Sequence, residues 1–174
     1  RIGSSGTVQT YADSSTDSLF LSNSASAGTS IILLGGRHSA SSTTTGTLSF
    51  RVFTNGNVQN TNNSYGAISD IKLKENIVNA SSQWDDLKAI QVRNYNFIEG
   101  QTHTQIGVVA QEVETVSPGL VSESPDRDEE GTDLGTVTKS VNYSVLYMKA
   151  VKALQEAMER IETLEAKVAA LEAA

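Results

Sequence analysis

The chain has 174 residues, a formal net charge of −7 and no cysteine. That length suits one or two small domains. The acidity argues against nucleic acid as a partner, and without cysteine there is neither a disulfide framework nor a Cys-based metal site. His38 and His103 lie too far apart in sequence to suggest a metal cluster, and no cofactor is expected. No apolar run approaches the ~20 residues of a membrane helix, so membrane insertion is not expected.

Arg1 to Thr10 lack the apolar core of a signal peptide. Arg1 in place of a start methionine points to a piece of a longer protein. Of 13 basic residues three (Arg1, Arg37, Arg51) fall in 1–68, and of 20 acidic residues two (Asp13, Asp17), which leaves 10 against 18 in 69–174. Such asymmetry predicts two regions with different tasks, 1–68 and 69–174.

Residues 1–68 are rich in Ser, Thr, Gly and Asn, punctuated by short β-type runs at Ser18–Leu21, Ser30–Leu34 and Thr47–Phe53. The last alternates apolar and polar residues before the turn signal Asn55-Gly56. Ile31-Ile32-Leu33-Leu34, followed by Gly35-Gly36, fits a strand buried on both faces. A lone chain this polar offsets its ordering entropy poorly. The β-branched runs therefore favour strands that wind with identical chains over a disordered segment. Tyr11, Phe20, Phe50 and Phe53 read as core residues before they read as a sugar-stacking surface, and Asp13 with Asp17 make no glycosidase carboxylate pair. Asn60–Ser64 reads as a polar loop.

Composition shifts at residue 69. Ser82 is placed to cap a short helix over Gln83–Ile90, with Asp85 and Asp86 near its positive end. Gln91–Phe97 alternates as a half-buried strand, and Gln105–Ala110 reads as a buried one. Gln111–Val116 reads as a helix stopped by Ser117-Pro118-Gly119. Ser122–Thr136, acidic and broken by Pro125, Gly131 and Gly135, reads as a mobile exposed loop. The spacing of Asp126, Asp128, Glu129 and Glu130 matches no cation-binding loop. His103 is assigned to the surface, and Trp84 and Tyr95 to the core.

Residues 143–174 are helical in pattern. Tyr147, Ala150, Leu154, Ala157, Ile161, Leu164, Val168 and Leu171 follow an unbroken heptad spacing. Val151 and Met158 widen this face, and Arg160 and Lys167 fall where they meet Glu165 and Glu172 of a neighbouring parallel chain. The pattern predicts self-association; the widened face and the fibre-like lead favour a homotrimer.

The chemistry-bearing motif is Ser69-Asp70-Ile71-Lys72-Leu73-Lys74-Glu75-Asn76-Ile77. Two companions follow: Ile106-Gly107-Val108-Val109-Ala110-Gln111-Glu112-Val113-Glu114, continued by Pro118-Gly119-Leu120-Val121, and Lys139-Ser140-Val141-Asn142-Tyr143-Ser144 before the terminal helix. Together they resemble peptidase family S74, the intramolecular chaperone domain of phage endosialidases and tail fibres or tail spikes. That family often has Arg where Lys72 stands and Asp where Asn142 stands.

The resemblance implies an α+β chaperone domain at 69–174 ending in a coiled-coil helix at 143–174. A β-rich intertwined trimeric fibre end would precede it at 1–68. It implies a Ser69–Lys74 dyad and scission between Ile68 and Ser69, with Asp70 and Asn76 as candidates for supporting roles. The function so implied is a phage tail fibre or spike precursor whose chaperone drives trimerisation and then cuts itself off as a single-turnover serine peptidase. Its fibre part would join the virion tail after assembly in the host cytoplasm and bind a host surface receptor or polysaccharide. The competing expectation is a non-cleaving trimerisation module of a carbohydrate-binding adhesin. A related membrane-bound transcription-factor family also carries this domain, but the Ser/Thr-rich lead favours phage.

Overall fold

The computed structural model describes residues 19, 21–42, 44–99, 103–128 and 130–174. The chain divides into two compact units: Arg1–Ser69 with Ile98–Gln101, and Asp70–Phe97 with Thr102–Ala174.

In the first unit, β1 (Ile32–His38), β2 (Thr47–Phe53) and β3 (Val58–Asn60) form an antiparallel sheet in the order β1-β2-β3. β2 has the bounds that its alternation predicts. β1 begins later and runs further than its apolar stretch, because register shifts carry the ladder through Gly35-Gly36. The Asn55-Gly56 turn joins β2 to β3, with Gly56 at φ +83 and the Asn55 Oδ1 accepting the Asn57 N–H at 3.1 Å. Phe53 is buried, and the Arg51 guanidinium lies 4.8 Å from its ring. Burial of Ile31–Leu34 on both faces is not found in the single chain: Ile31, Ile32 and Leu34 are exposed. The reason is that the strands of this sheet pack chiefly edge to edge with one another, and no second layer of described elements covers its faces. Leu19 and Leu21 belong to no strand; Ser18 and Phe20, with Tyr11, Asp13 and Asp17, lie outside the described residues.

The second unit is α+β. A 3-10 turn (Ile71–Leu73) leads to α1 (Trp84–Ala89), β4 (Arg93–Tyr95), β5 (Gln105–Gly107), α2 (Ala110–Val116), a second 3-10 turn (Pro118–Leu120), β6 (Val121–Arg127), β7 (Asp133–Val141) and α3 (Tyr143–Glu172). β4 pairs with β5, and β6 with β7, both antiparallel. Val113, Leu120 and Ala153 are its buried apolar side chains among the described residues, where α2, the Pro118 turn and α3 converge. Trp84 and Tyr95 are half-buried rather than core.

Ser122–Thr136 is not a loop. It lies mostly within the β6–β7 hairpin, whose register runs from Val121 opposite Val141 to Arg127 opposite Asp133. Acidic side chains build it. Asp128 Oδ1 accepts the N–H groups of Glu130 and Thr132 at 2.9 and 2.8 Å, and Gly131 turns at φ +84. Asp126 accepts the Thr136 and Thr138 hydroxyls at 2.7 and 2.6 Å. Those hydroxyls hold the Asp126 carboxyl below its ordinary value, and the Thr132 N–H does the same for Asp128. At the hairpin base Lys139 Nζ lies 2.6 Å from Glu114 of α2 and 2.9 Å from Glu123 of β6. Glu114 first and Glu123 second raise the Lys139 pKa.

α1 is fastened to α3 by polar groups. Ser82 gives only part of the expected cap, accepting the Trp84 N–H at 3.4 Å. Glu156 of α3 supplies the rest, accepting the Ser82 hydroxyl at 2.8 Å and the Gln83 N–H at 3.1 Å. The Ser82 bond is the main reason the Glu156 carboxyl sits below its usual range. Lys149 donates to Asp86 at 2.9 Å and to Gln83, and the Arg160 guanidinium stacks 4.0 Å from the Trp84 ring. Arg160 thus has a partner within its own chain, besides the interchain one that the heptad suggests.

Gly107 is buried where Tyr143 and Tyr95 meet. The Tyr143 hydroxyl accepts the Val108 N–H at 3.3 Å, and a Cβ on Gly107 would lie 2.8 Å from that oxygen and 3.1 Å from the Tyr95 hydroxyl. Gly107→Ala is therefore expected to lower stability by about 1–3 kcal/mol through overpacking. Denaturant unfolding followed by circular dichroism checks this, and an unchanged midpoint would remove the steric role.

Candidate functional site

Residues 61–82 are exposed throughout in the single chain. Ile68, on the carbonyl side of the expected scission, is 87% exposed. Local hydrogen bonds therefore shape this stretch more than packing does.

Asp70 is the N-cap of the 3-10 turn. Its Oδ1 accepts the Lys72 N–H at 3.0 Å, and its backbone carbonyl accepts the Leu73 N–H at 3.1 Å. Oδ2 also lies 3.3 Å from Lys72 Nζ, with both side chains well exposed. Exposed pairs of this kind contribute little, about 0–1 kcal/mol. Lys74 closes the turn. Its N–H donates to the Ile71 carbonyl at 3.1 Å, and its own backbone is extended at φ −126, ψ 144. Asn76 follows at φ +52, the left-handed region that Asn tolerates better than most residues. Asp70 and Lys74 thus bracket one turn of the second unit, with Asn76 two residues beyond it, while Ile68 and Ser69 belong to the first unit and the second starts at Asp70.

The apolar residues around the turn are open to solvent. Ile71, Leu73, Ile77 and Val78 are each more than 60% exposed. A dyad lysine needs the opposite setting, because only desolvation or a neighbouring cation favours the neutral amine. The exposed turn has the residue types for acyl transfer, and the apolar fringe with which a covering surface would dry it.

The other motifs lie within the second unit. Gly107 ends β5, Val113 is buried in α2, and Arg93 of β4 grips Glu112 of α2 with two hydrogen bonds of 3.0 and 2.9 Å. That grip lowers the Glu112 pKa and raises that of Arg93. Asn142 precedes α3 and donates its N–H to the Leu120 carbonyl at 2.8 Å. These residues build the domain. Reading the sequence alone missed Glu156 as the partner of the α1 N-terminus. The two are 73 residues apart, and no local pattern joins them.

Residues 69–122 match the family described as the chaperone of endosialidase, Peptidase_S74. The matched stretch runs from the serine of the motif to the start of β6. Among solved structures, the carboxy-terminal domain of the bacteriophage T5 L-shaped tail fibre with its intramolecular chaperone domain is similar. Identity is 15% and the TM-score 0.42, over 69% of this chain and 41% of that one, so this chain spans under half of that protein's length. No curated protein matches the chain. Among the described residues no helix is long and apolar enough to cross a membrane.

Proposed function

We propose that the chain is the C-terminal part of a phage tail fibre or spike precursor, in which 69–174 is an intramolecular chaperone and 1–68 the end of the fibre. The observation that carries this reading is the motif from Ser69 to Ile77 at the head of a segment matching the chaperone of endosialidase. The chaperone trimerises through α3, brings three β-rich segments into register, and releases itself at Ile68–Ser69.

Chemistry and form agree. The Ser69 hydroxyl is a weak nucleophile until a base takes its proton. Neutral Lys74 Nζ accepts that proton as Ser69 Oγ attacks the Ile68 carbonyl carbon. The C–N bond breaks, the Ser69 nitrogen regains a proton from Lys74, and an ester links Ile68 to Oγ. Water hydrolyses the ester, leaving a carboxylate on Ile68 and a free amine and hydroxyl on Ser69. Nucleophile and scissile bond are adjacent in the chain, and such fixed proximity supplies roughly 7–11 kcal/mol where the geometry is good.

Assembly fits the exposed surfaces. Sheet edges in the first unit, the fringe around Lys74 and the heptad face of α3 all leave apolar side chains in water in the single chain. Neighbouring copies would cover them, dry the lysine and couple cutting to correct winding. Polar strands specify register weakly, so three linked chains need such a device. After release the fibre's stability is kinetic. The mature fibre joins the virion tail and meets a host receptor or polysaccharide.

Ser69→Ala tests the reading. On a denaturing gel the purified wild-type chain should resolve into two pieces, and the variant should remain whole while still forming trimers. Two identical single bands would instead select the non-cleaving trimerisation module.

A further inference from the structure

We infer that Asp70 and Asn76 are positioning residues for Lys74: Asp70 fixes the turn that presents the lysine, by capping rather than by charge, and Asn76 fixes the bend behind it. The inference rests on the Ser69–Lys74 reading proposed above and assigns it two further residues.

Three observations support it. First, burial does not define the turn, since every residue from 61 to 82 is exposed in the single chain. A three-residue 3-10 turn has poor hydrogen-bond geometry and is short-lived without help. Second, Asp70 supplies that help twice. Oδ1 holds the Lys72 N–H and the backbone carbonyl holds the Leu73 N–H, so the turn closes with Lys74 bonded to Ile71. The cap works through an acceptor oxygen and needs no negative charge. The carboxylate's contact with Lys72 Nζ is solvated, hence the weaker of its two interactions. Third, Asn76 stands at φ +52, two residues beyond Lys74. Asn or Gly adopts that backbone readily, and a β-branched residue does not. The lysine therefore sits between a capped turn and a left-handed bend. Asp70 also follows the nucleophile directly, so fixing the turn fixes the chain leaving Ser69.

The experiment follows first-order self-cleavage of the full chain by densitometry, with oligomeric mass and thermal midpoint measured on each uncut variant in the Ser69→Ala background. Asp70→Ala should slow cleavage about five- to tenfold, the effect of losing a cap. Asp70→Asn keeps the acceptor oxygen and should cut within about twofold of wild type. Lys72→Gln, which removes the ion pair and spares the cap, should cut normally. Asn76→Gly should cut normally, and Asn76→Val should be slowed. Mass should stay unchanged in all five, and the midpoint should fall by no more than a few degrees in Asp70→Ala and Asn76→Val, the cost of a lost cap or a strained residue.

Wild-type rates in Asp70→Ala would overturn the inference, as would Asp70→Asn as slow as Asp70→Ala, which would make the charge the active feature. Loss of trimer in Asp70→Ala would show a merely structural role and overturn it too. A wild-type chain that never cuts would instead remove the proposed function itself, so the two failures are distinguishable.

Discussion

Lys74→Ala should leave the chain uncut, with the cleavage rate down by about 10²–10⁴-fold, the usual contribution of a positioned general base. The structure gives this prediction a sharper form. Lys74 closes a turn through its backbone N–H, a bond that replacement by Ala keeps. Trimer mass should match wild type while cleavage is lost. Lys74→Arg discriminates further. A guanidinium keeps its proton at any usable pH, so a positively charged replacement should be as inactive as Ala. Cleavage by Lys74→Arg at more than a tenth of the wild-type rate would mean that position 74 supplies only charge, and the proton transfer would need another base. The assay is a time course of intact and cut chain on denaturing gels.

Cutting α3 short should have the largest effect on assembly. From Met158 to Ala174 every residue is exposed in the single chain, including Ile161, Leu164, Val168 and Leu171 of the heptad face. The earlier part of α3 is different: Ala153 is buried there, Ala150 and Ala157 are half-buried, and Glu156, Lys149 and Arg160 engage α1. The last two heptads thus contribute little to their own unit and have their apolar side chains available to neighbours. Burying each such side chain is worth on the order of 1–2 kcal/mol. Deleting 161–174 should convert the trimer to monomer, and Leu164→Asp should come close to doing so. Glu162→Gln, off the heptad face, should leave the trimer intact. Analytical ultracentrifugation of each variant in the Ser69→Ala background reads the mass directly. Since drying of Lys74 is attributed to neighbouring chains, the deletion in the Ser69 chain should also stop cleavage. A deletion variant that remains trimeric, or one that cuts normally as a monomer, would separate assembly from α3 or cutting from assembly.

Where local pattern and tertiary demand coincide, the fold was legible in the sequence. β2 alternates and turns at Asn55-Gly56, and it forms over the expected residues. α3 begins at Tyr143, where the helical segment was expected to begin, and ends at Glu172. β4 and β5 came out shorter than expected, at three residues each, because a two-stranded ribbon pairs only where both strands face each other. The β6–β7 hairpin was misread as a loop. Pro125 and its run of acids are poor strand formers, and the bonds that hold it, from Asp126 to two threonine hydroxyls and from Asp128 to two backbone amides, carry no hydrophobic period. The Glu156 cap on α1 was invisible for another reason: it joins residues far apart in sequence.

The candidate site was legible as a motif, because Ser69, Asp70, Lys74 and Asn76 keep a fixed spacing that two later stretches reinforce. The division of labour within it was not. The capping oxygen of Asp70 and the left-handed backbone of Asn76 are conformational facts that emerge only with coordinates. The exposure of 61–82 is equally invisible in the sequence. It is the reason the proposed mechanism has neighbouring chains cover the lysine.

Intact mass spectrometry of the purified, incubated wild-type chain, with N-terminal sequencing of the smaller species, settles whether this protein cuts itself where proposed. The C-terminal product should begin Ser-Asp-Ile-Lys, with a mass equal to residues 69–174, and its partner should end in a free carboxylate at Ile68. A chain that stays whole in its trimeric state, or one whose new terminus lies at any other residue, would contradict the Ser69–Lys74 mechanism.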